Sequence, residues 1–186
     1  MKFQFFKDRL TGPKEKERPT ILIIDDEPNL REELQKLLSN DYKIITASNG
    51  QEALECLQAM ENPKEIGLII CDQRMPGMTG IELLKKLAHN QIMPDTLRII
   101  LTAFDDKEVI LDAIDEARIY KFVMKQFFDP DEFLLTVQRA VEAFYDQKEL
   151  KKFRDAYSEK LEELKQKDEE IKELKKRLQE LRAPGV

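Results

Sequence analysis

Tryptophan is absent from this 186-residue chain, histidine occurs once and cysteine twice. Cys56 and Cys71 are not in a CxxC spacing, so neither a disulfide framework nor a structural zinc site is expected, and a reducing, cytoplasmic setting fits. The lone His89 cannot furnish a His-rich metal site and reads as a helix-end surface residue. Long apolar runs are missing too. The longest, Ile21 to Ile24 and Gly67 to Cys71, fall far short of the roughly 18 residues that a membrane span needs. Met1 to Arg9 sets charges around Phe3, Phe5 and Phe6 and lacks the apolar stretch of a secretory signal. Glycine and proline are absent between Pro130 and Pro184, which permits one helix of about 50 residues.

Charge, by contrast, is abundant: 37% of residues are charged, above the roughly 25% of an average soluble domain. Residues 146–182 hold 12 basic and 11 acidic side chains, whereas residues 21–145 hold 13 basic and 23 acidic. The acidic excess lies in the middle of the chain, where it disfavours binding to nucleic acid or an anionic membrane.

From Thr20 onward, short apolar runs alternate with longer stretches of helical period. The runs are Ile21 to Ile24, Lys43 to Thr46, Gly67 to Ile70, Arg98 to Leu101 and Tyr120 to Met124. Helices are predicted over about 28–39, 50–60, 80–90, 106–116 and from 131 onward. Five strands alternating with five helices imply an α/β fold with a doubly wound five-stranded parallel sheet, because parallel strands need crossover helices. Residues 1–19 read as a tail, 20–145 as the α/β domain, 146–182 as a continuation of its last helix and 183–186 as a second tail. In that last helix Leu150, Tyr157, Leu164, Ile171 and Leu178 recur every seven residues. Phe153, Leu174 and Leu181 fill a second seam whose middle positions are Lys160 and Lys167. The pattern predicts a dimeric coiled coil, firm at its ends and loose in its centre.

Ligands of open parallel sheets bind beyond the carboxyl ends of the strands. There the sequence places Asp25 and Asp26 after the first run, Asp72 after the third, Thr102 and Ala103 after the fourth, and Lys125 after the fifth. Three carboxylates at one edge repel each other unless a cation sits among them, and hard oxygen ligands select Mg²⁺ or a similar ion. Mg²⁺ shares its coordination sphere with phosphate oxygens, which points to phosphoryl chemistry.

Four segments carry a strong resemblance to a known family. They are Ile21-Leu22-Ile23-Ile24-Asp25-Asp26-Glu27, Ile70-Cys71-Asp72-Gln73-Arg74-Met75-Pro76-Gly77-Met78-Thr79-Gly80, Ile100-Leu101-Thr102-Ala103 and Phe122-Val123-Met124-Lys125. Over roughly residues 20–145 the chain resembles the receiver domain of two-component response regulators, a flavodoxin-like fold. The resemblance implies that Asp72 is the nucleophile accepting a phosphoryl group from a phosphohistidine on a partner histidine kinase. It implies that Asp25 and Asp26, with Asp72 and the backbone carbonyl of Arg74, hold Mg²⁺. Lys125 would pair with one phosphoryl oxygen, Thr102 would hydrogen-bond another, and Ala103 would add a further phosphoryl contact. Thr102 and Phe122 occupy the family's switch positions. Where the family usually has proline after its lysine, this chain has Gln126, so a trans peptide is expected there.

The expected output is a phosphorylation signal passed from the last domain helix to a dimeric coil, with no catalytic activity beyond self-phosphorylation and autodephosphorylation. The alternative is the regulatory front of a larger signalling enzyme, such as a cyclase, nucleotide-messenger synthase or protein phosphatase, whose catalytic domain follows Val186. A DNA-binding role is disfavoured, since no helix-turn-helix fits after residue 145 and acids interleave with the lysines of the coil. A histidine kinase is excluded, because residues 146–186 contain no His.

Overall fold

The computed structural model describes residues 18–89, 93, 95–103 and 115–182, with side chains throughout except at 127 and 180–182. Residues 1–17 of the expected tail at 1–19, the expected tail at 183–186 and most of the expected helix at 106–116 lie outside the described residues, and the side chain of the seam residue Leu181 is likewise not described. Five strands are seen: β1 (Thr20–Ile24), β2 (Lys43–Ala47), β3 (Ile66–Asp72), β4 (Leu97–Thr102) and β5 (Lys121–Met124). The described helices are α1 (Pro28–Leu38), α2 (Gly50–Ala59), α3 (Gly80–His89) and α4 (Pro130–Arg182), and residues 115–117 before β5 are also helical.

All strand pairs are parallel, in the order β2-β1-β3-β4-β5. A parallel sheet is covered on both faces, so its central strands β1, β3 and β4 are buried at every position rather than at alternate ones. Alternate residues of those strands serve opposite layers. Ile21, Ile23, Leu68, Ile70, Ile99 and Leu101 pack with Leu34 and Leu38 of α1 and with Phe133, Val137 and Phe144 of α4. Leu22, Ile24, Ile69, Cys71 and Ile100 pack with Ala53 and Leu57 of α2 and with Leu83, Leu84 and Leu87 of α3. The doubly wound arrangement expected from the sequence is therefore present.

Helix starts follow local chemistry. The Asn49 side chain accepts from the Glu52 amide at 2.9 Å at the start of α2, and Glu52 accepts in return from the Ser48 amide at 2.7 Å. At α4 the Asp129 carboxylate accepts from the amides of Asp131 and Glu132, and Pro130 sits in the first turn, where its missing N–H costs nothing. This cap starts α4 one residue before the expected position.

The first part of α4 buries Phe133, Val137, Ala140, Val141 and Phe144, an i, i+4, i+7, i+8, i+11 stripe against the sheet. A Cβ on Gly67 of β3 would stand 3.0 Å from the Phe144 ring, so strand and helix approach closely because that residue lacks a side chain. The chain divides into two units after Tyr145. In the second unit Leu150, Phe153, Tyr157, Leu164, Ile171, Leu174 and Leu178 are all exposed, between 47% and 72%. Among the described residues no helix is long and apolar enough to cross a membrane.

Candidate functional site

Strand register brings the expected residues to one edge. Ile24 pairs with Cys71, Asp72 with Leu101, and Thr102 with Met124, so the residues ending each strand stand side by side. Ligand oxygens of Asp25, Asp26 and Asp72 lie within 4.8 Å of one another. Asp25 is fully buried and Asp72 nearly so, while Asp26 is half-buried.

A lysine faces this cluster. The Lys125 Nζ lies 3.0 Å from Asp72 Oδ2, 3.1 Å from Asp25 Oδ2 and 3.7 Å from Glu27 Oε1. Lys125 is the first residue of a short 3₁₀ turn, Lys125–Phe127, directly after β5, and the peptide to Gln126 is trans, as expected. Burial raises the carboxyls of both Asp25 and Asp72 above their ordinary value. The Glu27 amide, 2.8 Å from Asp25 Oδ1, opposes that rise at Asp25, and Lys125 opposes it at both. For Lys125, burial acts to lower the ammonium, but the hydrogen bond and charge of Asp72, followed by the charge of Asp25, outweigh it and raise it.

The remaining residues frame the cluster. The Arg74 amide hydrogen-bonds to the Asp72 carboxylate. The Thr102 hydroxyl donates to the Ala103 carbonyl at 2.9 Å, and Phe122 is half-buried against the α2 and α3 side of the core. Two residues that the sequence did not announce also serve the site. Arg31 of α1 donates from Nη1 to the Asp25 carbonyl at 2.6 Å, fixing the turn that follows β1. Gln73 hydrogen-bonds to the start of α3. Neither contact has a sequence signature, because each joins a side chain to a backbone atom several residues away. The Thr79 and Glu82 cap of α3 does have one, in the T-x-x-E spacing.

The donor set fits a small divalent cation. The buried Asp25 Oδ2 has no aligned hydrogen-bond donor although Lys125 stands at ion-pair distance. Asp25, Asp72 and Glu27 share the Lys125 ammonium, and Asp26 lies beside them at the edge of a partly dehydrated pocket.

A doubly wound parallel sheet with an acidic triad and a lysine at its carboxyl edge defines a class of open α/β domain with a charged ligand edge. The family model of the response regulator receiver domain matches residues 21–138, and the chain belongs to that family. It is 36% identical over 124 residues to the hydrogenase transcriptional regulatory protein HoxA of Cupriavidus necator, covering 67% of this chain and 24% of that protein. It is 34% identical over 139 residues to the regulatory protein AtoC of Escherichia coli, covering 74% of this chain and 28% of AtoC. The chain thus spans about a quarter of the length of these curated relatives. Among solved structures, the receiver domain of an HD domain-containing protein from Pseudomonas fluorescens superposes with a TM-score of 0.64 at 31% identity, over 75% of this chain and 98% of that one. A chain described as adenylate cyclase from Rhodopirellula baltica also gives a TM-score of 0.64, at 27% identity, over 73% of this chain and 98% of that one.

The raised carboxyls make a pH prediction for the protein held in EDTA. A folded-state pKa above the unfolded value of 3.8 contributes stability that is fully present below that value and is lost as pH rises through the folded one. Asp72→Asn removes one of these ionisations. Followed by circular dichroism, the variant should melt above wild type at pH 7, by a margin that shrinks towards pH 4. A variant that melts lower at pH 7 would contradict the reading.

Proposed function

We propose that this receiver domain accepts a phosphoryl group on Asp72 from a phosphohistidine of a partner histidine kinase and relays the change to a dimeric coiled coil. The observation that carries the reading is the meeting of Asp25, Asp26 and Asp72 with Lys125 at one sheet edge. An Asp72 carboxylate oxygen attacks phosphorus as the phosphorus–nitrogen bond breaks, and the imidazole of the partner leaves. Asp25, Asp26, Asp72 and the Arg74 carbonyl hold Mg²⁺, which neutralises charge on the transferring group when bound. Lys125 meets one phosphoryl oxygen, and Thr102 and the Ala103 backbone meet others. Drawing Thr102 towards the phosphoryl group changes the face that it shares with Phe122, the switch pair of the reading.

Output through the second unit rests on its exposed apolar stripe, roughly 42 Å of helix from Leu150 to Leu178. A second copy of the chain covers it in a parallel pair, which places two receivers at the same end. On this reading the chain itself is not an enzyme beyond its own phosphorylation and dephosphorylation. It makes no nucleic-acid contact and enters no membrane, and it works in the cytoplasm, where free Cys56 and Cys71 stay reduced. A second reading joins the same switch to an effector domain in one longer polypeptide. The short span of this chain on its relatives favours it.

Incubation with Mg²⁺ and acetyl phosphate should give an acid-stable, hydroxylamine-labile acyl phosphate that Asp72→Ala abolishes. Labelling that persists in Asp72→Ala sinks the assignment. In sedimentation at tens of micromolar the full chain should be dimeric with and without a phosphoryl mimic, and Leu164→Asp should make it monomeric. A wild-type monomer in every state overturns the coil.

A further inference from the structure

Gln73 stands between Asp72 and Arg74, yet its hydrogen bonds run elsewhere. Its amide donates to the Leu101 carbonyl of β4 at 2.9 Å. Its own carbonyl accepts from the Gly80 amide at 3.1 Å, and its side-chain Oε1 accepts from the Ile81 amide at 3.1 Å. One residue thus ties the end of β3 to β4 and takes two of the first-turn donors of α3, while Thr79 accepts from the next two, Glu82 and Leu83.

The fit leaves no slack. Gln73 is 5% exposed. A Cβ on Gly80 would collide with the Asp72 carbonyl oxygen, so the first turn of α3 presses on the backbone of Asp72 itself. The six-residue loop from Arg74 to Thr79 is closed at its base by Gln73, and its first peptide hydrogen-bonds to the Asp72 carboxylate. A shift of α3 therefore bears on the peptides on either side of Gln73.

We infer that Gln73 is a positioning residue whose side-chain carbonyl clasps α3 to the end of β3 and so sets the orientation of the Arg74 peptide towards the cation site. The inference rests on reading the acidic cluster as a Mg²⁺ site, and it adds a residue that touches neither metal nor phosphoryl group. Gln73→Met keeps the volume of the side chain and removes the acceptor. Groups that orient metal ligands typically change metal affinity by about tenfold or more.

The test uses the full chain with Mg²⁺ alone as the probe, titrated calorimetrically. Gln73→Met should weaken Mg²⁺ binding on the order of tenfold. Thr79→Ala removes the other side-chain cap of α3, so it should lower the melting temperature and leave Mg²⁺ affinity unchanged. Wild-type affinity in Gln73→Met overturns the inference. Equal weakening by Thr79→Ala also overturns it, since any loosening of α3 would then suffice. Should Gln73→Met fail to fold, amide spectra of the wild-type protein decide. The Ile81 and Arg74 amides should shift with one Mg²⁺ midpoint, and an Ile81 amide that stays still defeats the clasp. A wild type that binds no Mg²⁺ at millimolar concentration defeats the reading of the site and the clasp with it, an outcome distinct from the others.

Discussion

Two carboxylates withdrawn from water around one ammonium are the constraint on which this domain is built. Asp25 and Asp72 each lie about 3 Å from the Lys125 Nζ, and burial pushes both carboxyls up even with the lysine in place. Like charges in a partly dehydrated pocket cost free energy that a single cation does not cancel. The pocket is therefore held open by its surroundings: the Glu27 amide and Arg31 on the β1 side, the Arg74 amide on the β3 side, and the 3₁₀ turn that delivers Lys125 from β5.

Those supports exist because the sheet is parallel. Parallel strands put all their carboxyl ends at one edge, and residues far apart in sequence meet there without any special loop. Burying both faces of β1, β3 and β4 among aliphatic side chains makes the edge rigid, and α4 is locked to the same sheet through Phe133, Val137 and Phe144. Lys121 of β5, one residue before Phe122, also hydrogen-bonds to Thr136 of α4 at 3.0 Å. That contact ties the amino end of β5, away from the ligand edge, to α4.

The sheet and its site were legible because each is written locally. Apolar β-branched runs such as Ile21 to Ile24 mark buried strands, and the polar residues directly after them mark the ligand edge. Lys125 was legible for the same reason, and the trans peptide to Gln126 still lets it reach Asp72. What escaped the sequence depends on tertiary contact. Arg98 enters the sequence reading only as the start of a strand run, yet it is fully buried, donates to the Met93 carbonyl at 3.2 Å and has its pKa pulled down to about 10, first by burial and then by Arg118. Gln73 looks like an ordinary loop residue. Its bond to Ile81 spans eight positions and follows no helical or strand period.

On the proposed reading Mg²⁺ would be held by carboxylates that Lys125 also faces, and calorimetric titration of Lys125→Ala with Mg²⁺ tests that shared charge most directly. Removing a positive charge that stands about 3 Å from both Asp25 and Asp72 strengthens the field that attracts the ion. The account predicts tighter Mg²⁺ binding in the variant than in wild type, at equal pH and ionic strength. Weaker or unchanged binding would contradict it, because the lysine would then not be balancing the charge that the ion is meant to balance.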